Sequence, residues 1–209
     1  MARCPLCAER SAKRFCPAKG ETICAVCCGT HREIDIDCPS SCVYLKAGTS
    51  YESDRKPIDA TLYARVQSFG VEFIQHYGPV LGMIGQAVTQ ERESSTWLVD
   101  NDVDEVYKAL SATMKTLSSG IYYETLPDGP IRLSLFRKLK GIFDALMEPS
   151  GAEPRRLRVS EVLNILDFLI LTVALNSSGR PRSRQYLGWI AEASGGVASP
   201  ENPSRLIIP

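Results

Sequence analysis

All eight cysteines of this 209-residue chain lie between Cys4 and Cys42, and none occurs in the rest of the sequence. Two pairs, "CPLC" at 4–7 and "CAVC" at 24–27, carry the two-residue spacer that lets both sulfurs reach one tetrahedral zinc ion at about 2.3 Å. Together Cys4, Cys7, Cys24 and Cys27 make one complete site. Four thiols remain for a second: Cys16, Cys28, Cys38 and Cys42, the last two in "CPSSC". The adjacent Cys27 and Cys28 then acquire a purpose. Neighbouring side chains point away from each other, so Cys27 closes the first site while Cys28 joins the second. The pair becomes a strut between two ions. The ligands interleave along the chain, and that order defines a cross-brace.

Disulfides are the competing use of such a cluster. The N-terminus, "MARCPLCAERSAKRF", lacks the apolar run of an export signal, so the expected compartment is the cytoplasm, where reducing conditions favour metal ligation. A thioredoxin-like dithiol would need a βαβ setting, which this loop-rich segment lacks. Structural rather than catalytic zinc is expected. The first 46 residues hold few large apolar side chains, among them Leu6, Phe15, Ile23, Ile36 and Leu45, too few to fold alone. Each structural zinc supplies on the order of 10 kcal/mol of folding energy. Four thiolates per ion also leave no position open for water, which a catalytic zinc requires.

The segment resembles the cross-brace zinc fingers, the group that includes the HIT, B-box, MYND and RING modules. The closest likeness is to the HIT type, carried by the opening CxxC, the aromatic before "CP" in "RFCP" at 14–17, the second cysteine pair, a histidine three residues on and a late cysteine. The likeness spans about residues 3 to 45. It departs at Lys19, where a second "CPxC" would place a cysteine. A HIT-like ligand set, as the resemblance implies it, joins Cys28 to Cys4, Cys7 and Cys24 and leaves Cys16, His31, Cys38 and Cys42 for the second ion. The regular spacing of "CAVC" favours the all-cysteine set, with His31 in the turn "GTHRE" that follows. Cross-brace fingers mostly mediate protein contacts, so the resemblance implies a protein partner.

The remaining sequence must carry this module, and its periodicity is helical. A polar linker is expected at 47–57, a bundle of five or six helices at 58–193, and an extended tail at 194–209 ending in "LIIP". The fold class is therefore mainly α, with the small cysteine-rich module at residues 1–46. Leu62, Val66, Phe69 and Phe73 form one apolar stripe, and Gly78–Pro79 predicts a break before a second stripe of Val80, Leu81, Ile84 and Val88. Val103, Val106, Leu110, Met114, Leu117 and Ile121 form another, led by the acidic first turn "DNDVDE". After the turn "LPDGP" come Leu133, Phe136, Leu139, Phe143 and Leu146. Ser160 is placed to cap the most apolar helix, Val162 to Leu175. Asn164 and Asp167 interrupt that run, which is too short for a membrane span. Pro181 would open a last helix carrying Tyr186, Leu187, Trp189 and Ile190.

Catalytic constellations are missing: there is no HExxH, no phosphate-binding glycine loop and no GxSxG elbow. His76 suits a structural role. The net charge is zero, distributed as +2 over residues 1–46, −6 over 47–129 and +4 over 130–209. Such a balance gives no global field for nucleic acid. Two ions held by four thiolates each would turn the first figure to −2. Basic residues on the finger, Lys13, Arg14, Lys19 and Arg32, with the clusters at 155–158 and 180–184, keep nucleic-acid binding as the alternative. The expectation is a non-enzymatic zinc adaptor for protein contacts, and "GIYYE" at 120–124 offers Tyr122 and Tyr123 as interface anchors.

Overall fold

The computed structural model of the chain describes residues 2–55, 59–148 and 156–194. The expected helix stop at Pro149 and Gly151, Arg155, and the "LIIP" tail lie outside them. The chain divides into two compact units, one of residues 1–58 with Ser178–Arg184, the other of Asp59–Ser177 with the C-terminal residues from Gln185.

In the first unit, β1 (Arg14–Cys16) and β2 (Glu21–Ile23) form an antiparallel pair with Arg14 opposite Ile23 and Cys16 opposite Glu21. Gly20, at φ +68°, makes the tight return between them. Then follow α1 (Ala25–His31) and α2 (Val43–Arg55). The stretch expected as a linker from residue 47 is thus helical through Arg55. Its sequence hid this because its apolar residues make no stripe: Val43 and Tyr51 are exposed, while Leu45 packs on the buried cysteines. Cation–π stacking serves instead, with the Arg14 guanidinium 4.9 Å from the Tyr44 ring centre and that of Arg55 4.2 Å from Tyr51.

Six helices among the described residues make the second unit: α3 (Ala60–Gln67), α4 (Gly70–Ser94), α5 (Asp100–Ser118), α6 (Pro130–Met147), α7 (Val159–Asn176) and α8 (Gln185–Ser194). Their facing stripes bury one apolar core that includes Ile84, Val88, Val106, Leu110, Phe136, Phe143, Ile165 and Leu169. By length and composition α7 is apolar enough to cross a membrane, yet Val162, Ile165, Leu166, Leu169 and Val173 are all in that core.

Several expected boundaries move. Gly78–Pro79 does not break the helix: α4 runs straight through it, because core contacts of Tyr77, Val80 and Leu81 on either side offset the hydrogen bond that proline forgoes. The break falls earlier, at Gly70, whose φ of +71° separates α3 from α4. Ile121 leaves the α5 stripe and is exposed, since the helix stops at Ser118 and Gly120 turns the chain at φ +78°. Ser160 does not cap α7. The helix starts one residue earlier, and the Glu161 carboxylate accepts from the Arg158 N–H at 2.9 Å. Pro181 lies in the turn before α8, which begins at Gln185.

Two phenols meet inside this core. Tyr107 and Tyr186 have no exposed surface, and their hydroxyls lie 3.1 Å apart. Tyr107→Phe is expected to lower stability by about 1 kcal/mol, read as a drop of a few degrees in the thermal midpoint. Burial pushes both phenols above the ordinary tyrosine range. The unfolded chain ionises its tyrosines near pH 10, whereas these two stay protonated in the fold. Their contribution to stability is full below that pH and lost as pH rises above it, so urea midpoints are expected to hold to about pH 9 and fall beyond 10.

Candidate metal centre

The first site is assembled by two turns and a helix start. The Cys4 carbonyl accepts the Ala8 N–H at 2.7 Å, and Ala8 takes φ +56°, which wraps residues 4–7 around a common centre. Cys24 is the N-cap of α1, and its sulfur accepts the Cys27 N–H at 3.3 Å. The Cys24 N–H is in turn donated to the Cys4 sulfur at 3.2 Å. The sulfurs of Cys4, Cys7, Cys24 and Cys27 all lie within 4.8 Å of one another, with Cys7 and Cys24 at 4.0 Å. A tetrahedron of sulfurs about 2.3 Å from a zinc ion has edges of about 3.8 Å, so the four thiols fit such an ion. Cys4, Cys24 and Cys27 are buried and Cys7 is half-buried.

Electrostatics suit a cation. Burial works to raise the Cys4 pKa, but backbone N–H groups of Cys24, Leu6 and Cys7 outweigh it and bring the thiol down to about 6. The backbone N–H groups of Arg10 and Glu9 lower that of Cys7. Cys27 is pushed up to about 12, first by burial and then by the thiols of Cys24, Cys7 and Cys4. Thiolates packed this closely repel one another, and a divalent ion among them removes the repulsion.

The other predicted ligands are placed differently. Cys16 ends β1, Cys28 sits half-buried on α1, and Cys38 and Cys42 occupy the loop before α2. Cys27 and Cys28 follow each other on a helix, so they point about 100° apart, and only Cys27 belongs to the first cluster. Among the described residues no second group of metal-ligating side chains closes to the same mutual distance. One reason is visible in the chain. The turn Cys16–Gly20 repeats the turn Cys4–Ala8, with the Gly20 N–H donated to the Cys16 carbonyl at 2.9 Å, and Lys19 stands where Cys7 stands in the first. That turn supplies one thiol instead of two.

His31 ends α1 and its Nδ1 lies 2.6 Å from the Asp35 carboxylate. His76 is exposed in the second turn of α4, edge-on to Tyr77. Tyr122 and Tyr123 are both exposed on the segment after α5, beside Ile121 and Leu126. In the 180–184 cluster, Arg180 pairs with Glu52 at 3.0 Å and Arg184 with Asp37 at 2.5 Å. Sequence reasoning missed the N–H···S bonds, which have no residue signature. It also missed the return of Ser178–Arg184 to the cysteine-bearing unit, for which the acidic run of Glu33, Asp35 and Asp37 against Arg180, Arg182 and Arg184 was the available sign.

Comparison of the chain with protein-family models, with curated proteins and with solved structures found no match in any of the three. The likeness to cross-brace fingers therefore rests on the cysteine pattern and on this one four-sulfur cluster.

Proposed function

We propose that the chain is a non-catalytic adaptor whose N-terminal unit is folded by two structural zinc ions and whose two units offer surfaces to a protein partner in a reducing compartment such as the cytoplasm. The observation that carries this reading is the closed cluster of Cys4, Cys7, Cys24 and Cys27, four thiols that satisfy a tetrahedral ion completely and leave it no vacancy for substrate or water. The second ion would take Cys16, Cys28, Cys38 and Cys42. In support, the Cys38 thiol is raised first by burial, against which the Glu33 backbone N–H works, and further by the thiols of Cys42 and Cys16. Ile121, Tyr122, Tyr123 and Leu126, all exposed on one short segment, supply the amphipathic anchors that protein interfaces favour.

Nucleic-acid binding is the weaker reading, since Arg180 and Arg184 are engaged by carboxylates rather than free for phosphates. Crosslinking from a photoreactive residue at Tyr123 and, separately, at Phe15, tests the adaptor role. The expected result is a specific protein adduct that is lost from the Phe15 position when zinc is chelated. A purified, zinc-loaded protein that turns over a substrate and yields no protein adduct from either position overturns it.

A further inference from the structure

The segment Ser178–Arg184 lies more than 120 residues beyond the last cysteine, yet it belongs to the cysteine-bearing unit. It is held there chiefly through one residue. Glu33 is 2% exposed and adopts φ +54°, a left-handed conformation that L side chains rarely take and that persists only where its surroundings enforce it. Its carbonyl accepts the Arg182 N–H at 2.9 Å. Its carboxylate accepts the Ser178 hydroxyl at 3.4 Å and lies 3.9 Å from the Arg180 guanidinium. Arg180 reaches on to Glu52 of α2, which also pairs with the buried Arg32 at 3.6 Å. Arg184 holds Asp37, the residue before Cys38. Within the same loop the Cys38 N–H is donated to the Ile36 carbonyl at 3.0 Å and the Ile36 N–H to the His31 carbonyl at 3.0 Å, which ties the stretch from Glu33 to Cys38 together.

We infer that the zinc module is a discontinuous unit completed by residues 178–184, in which Arg180 and Arg184 are positioning residues for the loop that carries Glu33 and Cys38. The remote segment fixes Glu33 at one end of that loop through Arg180 and Arg182, and Asp37, beside Cys38, at the other through Arg184. Buried charges need partners, and truncating one member leaves its mate uncompensated, so loss of Arg180 destabilises the Glu33 loop rather than relaxing it. In the first cluster the Cys4 and Cys24 sulfurs receive the N–H groups of Cys24 and Cys27, and none of the clasp contacts described above reaches them. A domain cut at residue 46 would accordingly lack part of its own structure. The consequence for a second ion rests on the two-zinc reading, while the positioning of Cys38 does not.

Alkylation of individual cysteines in the full-length chain, followed by mass spectrometry, tests this. In Arg180→Ala and in Arg184→Asp, Cys38 and Cys42 are expected to react at least about tenfold faster than in the parent, while Cys4 and Cys24 keep their rates. Combining Arg184→Asp with Asp37→Arg restores the pair and is expected to restore protection of Cys38. Unchanged Cys38 reactivity in both single variants overturns the inference, as does equal acceleration at all eight cysteines with no rescue by the charge swap. Zinc content of the parent, measured on the same samples, reports separately on the second ion: one zinc per chain with Cys38 still released by the single variants removes the second ion and leaves the clasp.

Discussion

Cys24→Ser is expected to abolish the order of the N-terminal unit while leaving the helical one folded. The position combines three tasks. Its sulfur is a corner of the four-thiol cluster, the same sulfur caps α1 through the Cys27 N–H, and its own N–H supports the Cys4 sulfur. A serine oxygen is a harder, weaker ligand for zinc than a thiolate and reaches less far. An ion held there would contribute on the order of 10 kcal/mol to a segment that has almost no core except the cysteines themselves with Ile23 and Ile36, so its loss would exceed the stability available. Proton NMR is expected to retain dispersed methyl signals from the core around Phe136 and Phe143 and to lose those of Ile23 and Ile36. Complete chelation of the parent should give the same spectrum.

Asp100→Ala is expected to cost the helical unit about 3 kcal/mol, a large fraction of ordinary domain stability. Asp100 is 1% exposed, and its carboxylate accepts the N–H groups of Tyr186 at 3.2 Å and Leu187 at 3.1 Å, the opening turn of α8. Those amides have no partner within their own helix. Alanine leaves both buried and unsatisfied, and it does so beside the Tyr107–Tyr186 pair. Chemical denaturation of the zinc-loaded chain measures the loss. Asp100→Asn, which keeps one acceptor oxygen, is expected to recover about half of it. By contrast Asp102, on the same acidic turn, accepts the Val99 N–H at 3.1 Å and pairs with Arg132 nearer the surface, so its replacement should cost less.

These two residues mark how far the sequence could be read. The cluster at Cys4, Cys7, Cys24 and Cys27 is legible because metal geometry dictates a two-residue spacer, and any chain that meets it advertises it. Asp100 is legible only as part of an acidic helix start. That it caps a different helix depends on packing between positions 86 residues apart, which no local pattern encodes. Core stripes such as Val103, Val106, Leu110 and Met114 were readable through their period. Leu135, also buried, is hidden in the sequence because its neighbour Phe136 already completes the stripe. The uninterrupted course of α4 past Pro79, the helicity of α2 without an apolar stripe, and the return of Ser178–Arg184 to the cysteine unit share one cause. In each, contacts distant in sequence override a local preference.

The most direct test of the metal account is X-ray absorption at the zinc edge of the full-length protein purified under reducing conditions. The expected spectrum fits a shell of four sulfur scatterers at about 2.3 Å with no oxygen contribution. A shell dominated by nitrogen or oxygen, or a folded and fully reduced protein that contains no zinc, would contradict it.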